Sequence, residues 1–197
     1  MKNSLKIRRM VGIASLAAIV AVLQLIANYI TFGPVSITLA LIPLIIGSIL
    51  YGPSGGAILG GLMGFIILTA PSTGSFLAIN PIITIILCIV KTSVAGIVSG
   101  YLFKCFRKKN TKLAVVLSSL AAPIVNTGIF AVGCILFYMP TISSWAGEAT
   151  NAYAYLFLTM IGVNFIIEFI INSVLSPIVL YIVKIVSTNF NMGTNLD

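Results

Sequence analysis

The chain has 197 residues, 59% hydrophobic and 7% charged, with 11 Lys and Arg against 3 Asp and Glu. So little polar surface excludes a soluble globule, and apolar runs of around twenty residues recur along nearly the whole length, as helical membrane spans require. The formal charge of +8 does not mark a nucleic-acid binder, because the basic residues cluster beside the apolar runs, where they set topology.

In chain order, six spans are predicted, at about residues 10–30, 36–50, 54–70, 80–103, 113–137 and 155–186. Together they make one all-α integral membrane domain covering 1–197, a six-transmembrane-helix bundle. The first span follows Lys2, Lys6, Arg8 and Arg9. Its start resembles a secretory signal, but the apolar run continues to about Ile30, too long for an h-region, and reads as a retained helix. Gly33-Pro34, Tyr51-Gly52-Pro53 and Pro71-Ser72-Thr73-Gly74 read as the turns after spans one, two and three. The fourth span opens at Asn80-Pro81, the fifth carries Pro123, and the sixth carries Pro177.

Orientation follows from the basic residues. If the N-terminus is cytoplasmic, the loop holding Lys104, Arg107, Lys108, Lys109 and Lys112 is cytoplasmic too, as is the end near Lys184. The loops near 31–35, 71–79 and 138–154 contain no Lys or Arg and fall outside. Both termini are therefore expected on the cytoplasmic side.

Only two of the charged residues lie within apolar runs, Lys91 and Glu168. A charge in a bilayer costs about 2.5–3.5 kcal/mol on insertion scales and generally faces a cavity, a partner or a substrate. Counted inward from the outer ends of their spans, both lie roughly 16–18 Å deep. The sixth span repeats a polar residue every fourth position, Asn164, Glu168, Asn172 and Ser176, forming one stripe on an apolar helix. Asn80 and Thr84 in the fourth span and Asn126-Thr127 in the fifth add further polar groups.

Two readings of these residues stand side by side. In one, Lys91 and Glu168 form a structural ion pair and the amides hold helices together, each bond worth about 0.6 kcal/mol. In the other, Lys91 receives a ligand carboxylate while Glu168, Asn80, Thr84, Asn126, Asn164 and Asn172 bind its hydroxyl or amide groups. Trp145, Tyr138, Tyr153 and Tyr155 read as an interfacial aromatic belt or as a lid over an outward-facing pocket.

Small residues form seams. Ala14, Ala17, Ala18 and Ala21 line part of the first span, Gly56, Gly60 and Gly64 the third, and Gly96 and Gly100 the fourth. Such spacing permits close helix approach, within the bundle or with another protein. Cys88, Cys105 and Cys134 have no paired spacing and there is no His, so neither a disulfide framework nor a metal site is expected. No phosphate-binding loop, metalloprotease motif or nucleophile elbow occurs. The chain is expected to be no enzyme and to use no cofactor, borrowing transport energy from a partner.

With the alanine seam, the segment from Gly33-Pro34 to Pro43, the run Gly47 to Gly56, Asn80-Pro81 and Asn126-Thr127, the chain resembles the substrate-binding S-components of energy-coupling factor (ECF) transporters. That resemblance implies a vitamin-capture subunit that docks through Ala14, Ala17, Ala18 and Ala21 onto a transmembrane coupling subunit served by two ATPases. It also implies a substrate site toward the outer side, under the loops after spans one, three and five. The sequence is most similar to the pantothenate and folate branch. Pantothenate, with one carboxylate, two hydroxyls and an amide, suits a single deep Lys, and folate, pyridoxine, a queuosine precursor and cobalamin are the alternatives. From a different class, a standalone proton-coupled carrier would use Glu168 as its switch, and a membrane scaffold would bind no small molecule at all.

Overall fold

The structure, a computed structural model, describes residues 2–32, 35–36, 38–148 and 150–190. Gly33 and Pro34, expected at the first turn, lie outside the described residues. The described chain is helical apart from a two-residue antiparallel pairing of β1 (Thr31–Phe32) with β2 (Val35–Ser36). Its helices are α1 (Lys2–Ala27), α2 (Leu41–Ile67), α3 (Pro71–Ile79), α4 (Pro81–Phe106), α5 (Thr111–Phe137), α6 (Met139–Ala146), α7 (Ala152–Ala154) and α8 (Val163–Phe190). A π-helical stretch, Tyr155–Gly162, joins α7 to α8. Five of these segments are long and apolar enough to cross a membrane, the last being the continuous run Ala152–Val186.

The second and third expected spans form a single element, α2, broken where Gly52 takes φ 76° and ψ −175°. Only glycine adopts that φ without a Cβ penalty, and Pro53 next to it removes a backbone donor. Close approaches show that the two halves of α2 fold back on each other. A Cβ on Gly47 would meet the Leu59 side chain, and one on Gly55 would lie 3.2 Å from the Gly47 carbonyl oxygen. In a straight helix Gly47 and Leu59 would be about 18 Å apart. The reversal expected at Tyr51-Gly52-Pro53 is therefore present, although the helix begins at Leu41 rather than near Ser36.

Arg9 fixes the bend from α1, donating to the Tyr51 carbonyl at 3.0 Å and to Ser54 Oγ at 2.6 Å. At the other end of α1, Gln24 donates to Asn28 Oδ1, and Asn28 Nδ2 donates to the Ile66 carbonyl at 3.1 Å and Thr69 Oγ1 at 3.0 Å. Two polar ties thus hold α1 along the second half of α2.

The glycine seams meet inside the bundle. Gly56, Gly60 and Gly64 on α2 face Gly96, Thr92 and Cys88 on α4 in antiparallel steps of four residues. A Cβ on Gly60 would collide with the Thr92 carbonyl oxygen, and Thr92 Oγ1 donates to the Gly60 carbonyl at 2.6 Å. Backbone touches backbone here, which glycine alone allows. The buried face of α4 repeats at Thr84, Cys88, Lys91, Thr92, Ala95 and Ser99, while Ile82, Ile86, Val90 and Ile97 are exposed on the opposite side, the reverse of a soluble helix and suited to lipid.

Two expected loops contain helices. Residues 71–79, read as a turn, form α3, with Pro71 in its first turn, where a missing N–H costs nothing. Within 138–154 lie α6 and α7, and α6 also has a proline, Pro140, in its first turn. These short helices sit over one end of the bundle. Among the described residues, two apolar clusters make up the core. The larger centres on Leu41, Leu44, Ile45, Leu59 and Met63 of α2, and the smaller joins Phe76, Phe130, Tyr138, Ile142, Leu156 and Met160 near the short helices.

Candidate functional site

Two chambers lie between α3, α4, α5 and the π-helical end of α8, with Thr38, Lys91 and Phe130 as their shared wall. The first has a cavity volume of about 30 Å³ and is lined by Ser72, Thr73 and Phe76 of α3, Thr84, Leu87 and Cys88 of α4, and Tyr138. The second has a cavity volume of about 30 Å³ too and is lined by Asn126 and Thr127 of α5 and by Met160, Ile161, Asn164, Phe165 and Glu168.

Lys91 is 7% exposed, and its ammonium stands 4.6 Å from the centre of the Phe130 ring. A cation over an aromatic face is attracted by the ring quadrupole. Among the described residues no carboxylate pairs directly with it. Glu168, 4% exposed, instead accepts a hydrogen bond at Oε1 from the Thr38 backbone N–H at 2.7 Å. Glu168 thereby ties the segment between β2 and α2 to α8, at the depth of Lys91.

Asn126 is 3% exposed, and its Oδ1 has no hydrogen-bond partner among the described residues. A buried acceptor left unpaired costs about 1–3 kcal/mol, so a donor on a bound molecule would relieve it. Phe76 is the hub of an aromatic roof over the first chamber. Its ring meets Phe130, Tyr138 and Trp145 edge-on, with centroids at 5.7, 5.2 and 5.5 Å. Such T-shaped pairs are favoured by the ring quadrupole. The roof rests on α4, where the Tyr138 hydroxyl lies 2.7 Å from Thr84 Oγ1 and donates to the Asn80 carbonyl at 3.2 Å.

Among the described residues the bundle thus buries a cation without a paired carboxylate and an amide oxygen without a donor. A family model described as ECF transporter, substrate-specific component, matches residues 8–180. The chain belongs to that family. No curated protein matches the chain. As an ECF substrate-specific component it is a multi-pass membrane protein of transport, a binding subunit rather than an enzyme, and works with the other subunits of an ECF module on a small-molecule substrate.

In this ECF component the structure gathers Lys91, Thr84, Asn126, Asn164 and Glu168 around the chambers and leaves three expected residues out. Asn80 caps α4, its Oδ1 accepting from Ile83 N at 3.1 Å, because the first N–H groups of a helix need an acceptor. Asn172 turns back on its own helix, donating to the Glu168 carbonyl at 2.7 Å, one turn below the second chamber. Trp145 packs against Phe76 and lines neither chamber. The direct ion pair between Lys91 and Glu168, one of the two readings of the sequence, does not form. The aromatic group before α8 divides: Tyr138 is buried at 1% exposure inside the roof, whereas Tyr153 is exposed.

Thr38, Phe76 and Phe130 were not foreseen. Phe130 follows Asn126 by one helical turn, so the spacing places both on one face of α5, and that signal was legible. Phe76 lay in a presumed loop, and nothing local marks Thr38. On α1, Ala14 and Ala18 are exposed while Ala17 and Ala21 are half-buried, so the seam is not consumed by packing within the bundle.

Proposed function

We propose that this chain captures a small monoanionic metabolite rich in hydroxyl and amide groups, with pantothenate as the leading candidate, and presents it to an ECF module. Lys91 carries this reading. Burying an ammonium without an anion costs about 2.5–3.5 kcal/mol, a cost a ligand carboxylate offsets. One carboxylate at Lys91 would leave a hydroxyl- or amide-bearing arm to reach Asn126, Thr127, Asn164 and the carboxyl of Glu168. Hydroxyls of Ser72, Thr73, Thr84 and Tyr138 line the other chamber. Folate, with two carboxylates, would face one cation. The chain is read as crossing a bacterial plasma membrane six times, the two halves of α2 counted separately, with both termini cytoplasmic and the chambers toward the outside. Ala14, Ala17, Ala18 and Ala21 form the docking seam for a transmembrane coupling subunit carrying two ATPases.

Native mass spectrometry of gently purified protein tests the capture reading. The expected result is one retained small anion per chain, absent from Lys91→Ala. Wild type that retains nothing and binds neither pantothenate nor any other carboxylate vitamin offered would remove it.

A further inference from the structure

An apolar groove of about 490 Å³ runs along the outside of the bundle between α1, the first half of α2 and the far end of α8, sharing no lining residue with either chamber. Its walls are Ile7, Val11, Leu16 and Ile19 of α1, Ile42, Ile46 and Leu50 of α2, and Ile182 and Val186 of α8, and Arg8 stands at one end. From Arg8 to Ile19 the groove extends about 17 Å along the helix, close to the depth of one leaflet, half of the roughly 30 Å hydrocarbon core. Its few polar groups are already engaged or shielded. The Ser15 hydroxyl donates to the Val11 carbonyl at 3.0 Å, and the Tyr51 hydroxyl is packed against Gly12, where no Cβ would fit.

The two arginines at this end have different fates. Arg9 is spent on the bend of α2, whereas Arg8 is exposed and lines the groove. Lys6, two residues earlier in the chain, is exposed as well. We infer that the groove is a binding site for an anionic phospholipid, with one acyl chain between α1, α2 and α8 and the phosphate at Arg8. A slot one leaflet deep and lined by hydrocarbon, with a cation at its mouth, matches a phospholipid in both length and charge. Basic pockets between membrane helices hold acidic headgroups by the same chemistry. The lipid would lie beside the exposed Ala14 and Ala18, one residue row away on α1, so occupancy of the groove borders the docking seam. The site requires only that Arg8 lie at a bilayer surface, whichever leaflet that is.

The test uses the full chain reconstituted in vesicles of equal phosphatidylglycerol and phosphatidylcholine, then transferred to detergent for native mass spectrometry. Wild type is expected to keep one phospholipid, with phosphatidylglycerol preferred about five-fold, the share of one basic side chain near a surface. Arg8→Gln, a change at an exposed position, is expected to keep a lipid and lose the preference. Ser15→Phe, which fills the middle of the groove, is expected to lose the lipid of either kind, while Arg107→Gln changes nothing. Equal retention of both lipids by wild type, a preference that survives Arg8→Gln, or a lipid that survives Ser15→Phe would each overturn the site. So would wild type that keeps no lipid while Ser15→Phe abolishes co-purification of the coupling subunit, an outcome that gives the groove to a protein helix.

Discussion

Replacing Lys91 by Met separates binding from folding in opposite directions. Met keeps most of the side-chain length against Phe130 and removes only the charge. Lys91 is 7% exposed, its ammonium has an aromatic ring at 4.6 Å, and no carboxylate pairs with it among the described residues. Removing it relieves an insertion cost of about 2.5–3.5 kcal/mol and forfeits a cation–π attraction of about 0.5–2 kcal/mol. The unliganded variant should therefore be at least as stable as wild type. A hydrogen bond to a charged group contributes about 1.5–3 kcal/mol, so affinity for a carboxylate ligand should fall about 10- to 150-fold. The assay pairs thermal unfolding of unliganded protein in detergent with calorimetric titration of pantothenate and of its neutral alcohol analogue, panthenol. Wild type should prefer the acid, and Lys91→Met should bind the two alike. A variant that melts lower than wild type yet keeps full preference for the acid would refute the reasoning, because Lys91 would then support the fold and not the ligand. Wild type that binds neither compound would dismiss pantothenate and leave the role of Lys91 to be read with the anion found by mass spectrometry.

Other consequences can be measured in the same preparations. Glu168→Gln keeps an oxygen that can accept from Thr38 N and should melt near wild type, whereas Glu168→Leu strands that buried N–H and should lose about 1–3 kcal/mol in thermal unfolding. Gly60→Ala forces a methyl group against the Thr92 carbonyl and should cost about 1–3 kcal/mol. Its neighbour Gly61, where an added Cβ would make ordinary contact with Ser93 at 3.6 Å, should accept Ala with a neutral or favourable change in melting temperature. Asn80→Ala should lose about 1 kcal/mol of stability with the cap of α4 while substrate affinity stays near wild type. Ala14→Leu or Ala18→Leu should leave substrate binding intact and stop uptake by the assembled transporter. Loss of binding in either would mean that this side of α1 supports the bundle.

The sequence by itself determined that the chain is a helical membrane protein, and it marked the deep residues. Apolar runs with charges at their ends admit no other solvent, and a charge inside such a run is costly enough to stand out. It also marked the reversal of α2, since a glycine before a proline inside an apolar run breaks a helix wherever it occurs. Tertiary structure alone decided what the deep residues touch. Lys91 and Glu168 share a depth, yet depth does not fix the direction in which a side chain points. One met an aromatic ring and the other a backbone N–H from a segment more than a hundred residues away in sequence. Asn172 shares the stripe of Glu168 but lies one turn past the chamber, because periodicity identifies the face of a helix and not where a cavity along that face ends. Phe76 and Thr38 entered the site through connections with no periodic signal, and only the packing of α3 and of the segment before α2 against the bundle brought them to Lys91.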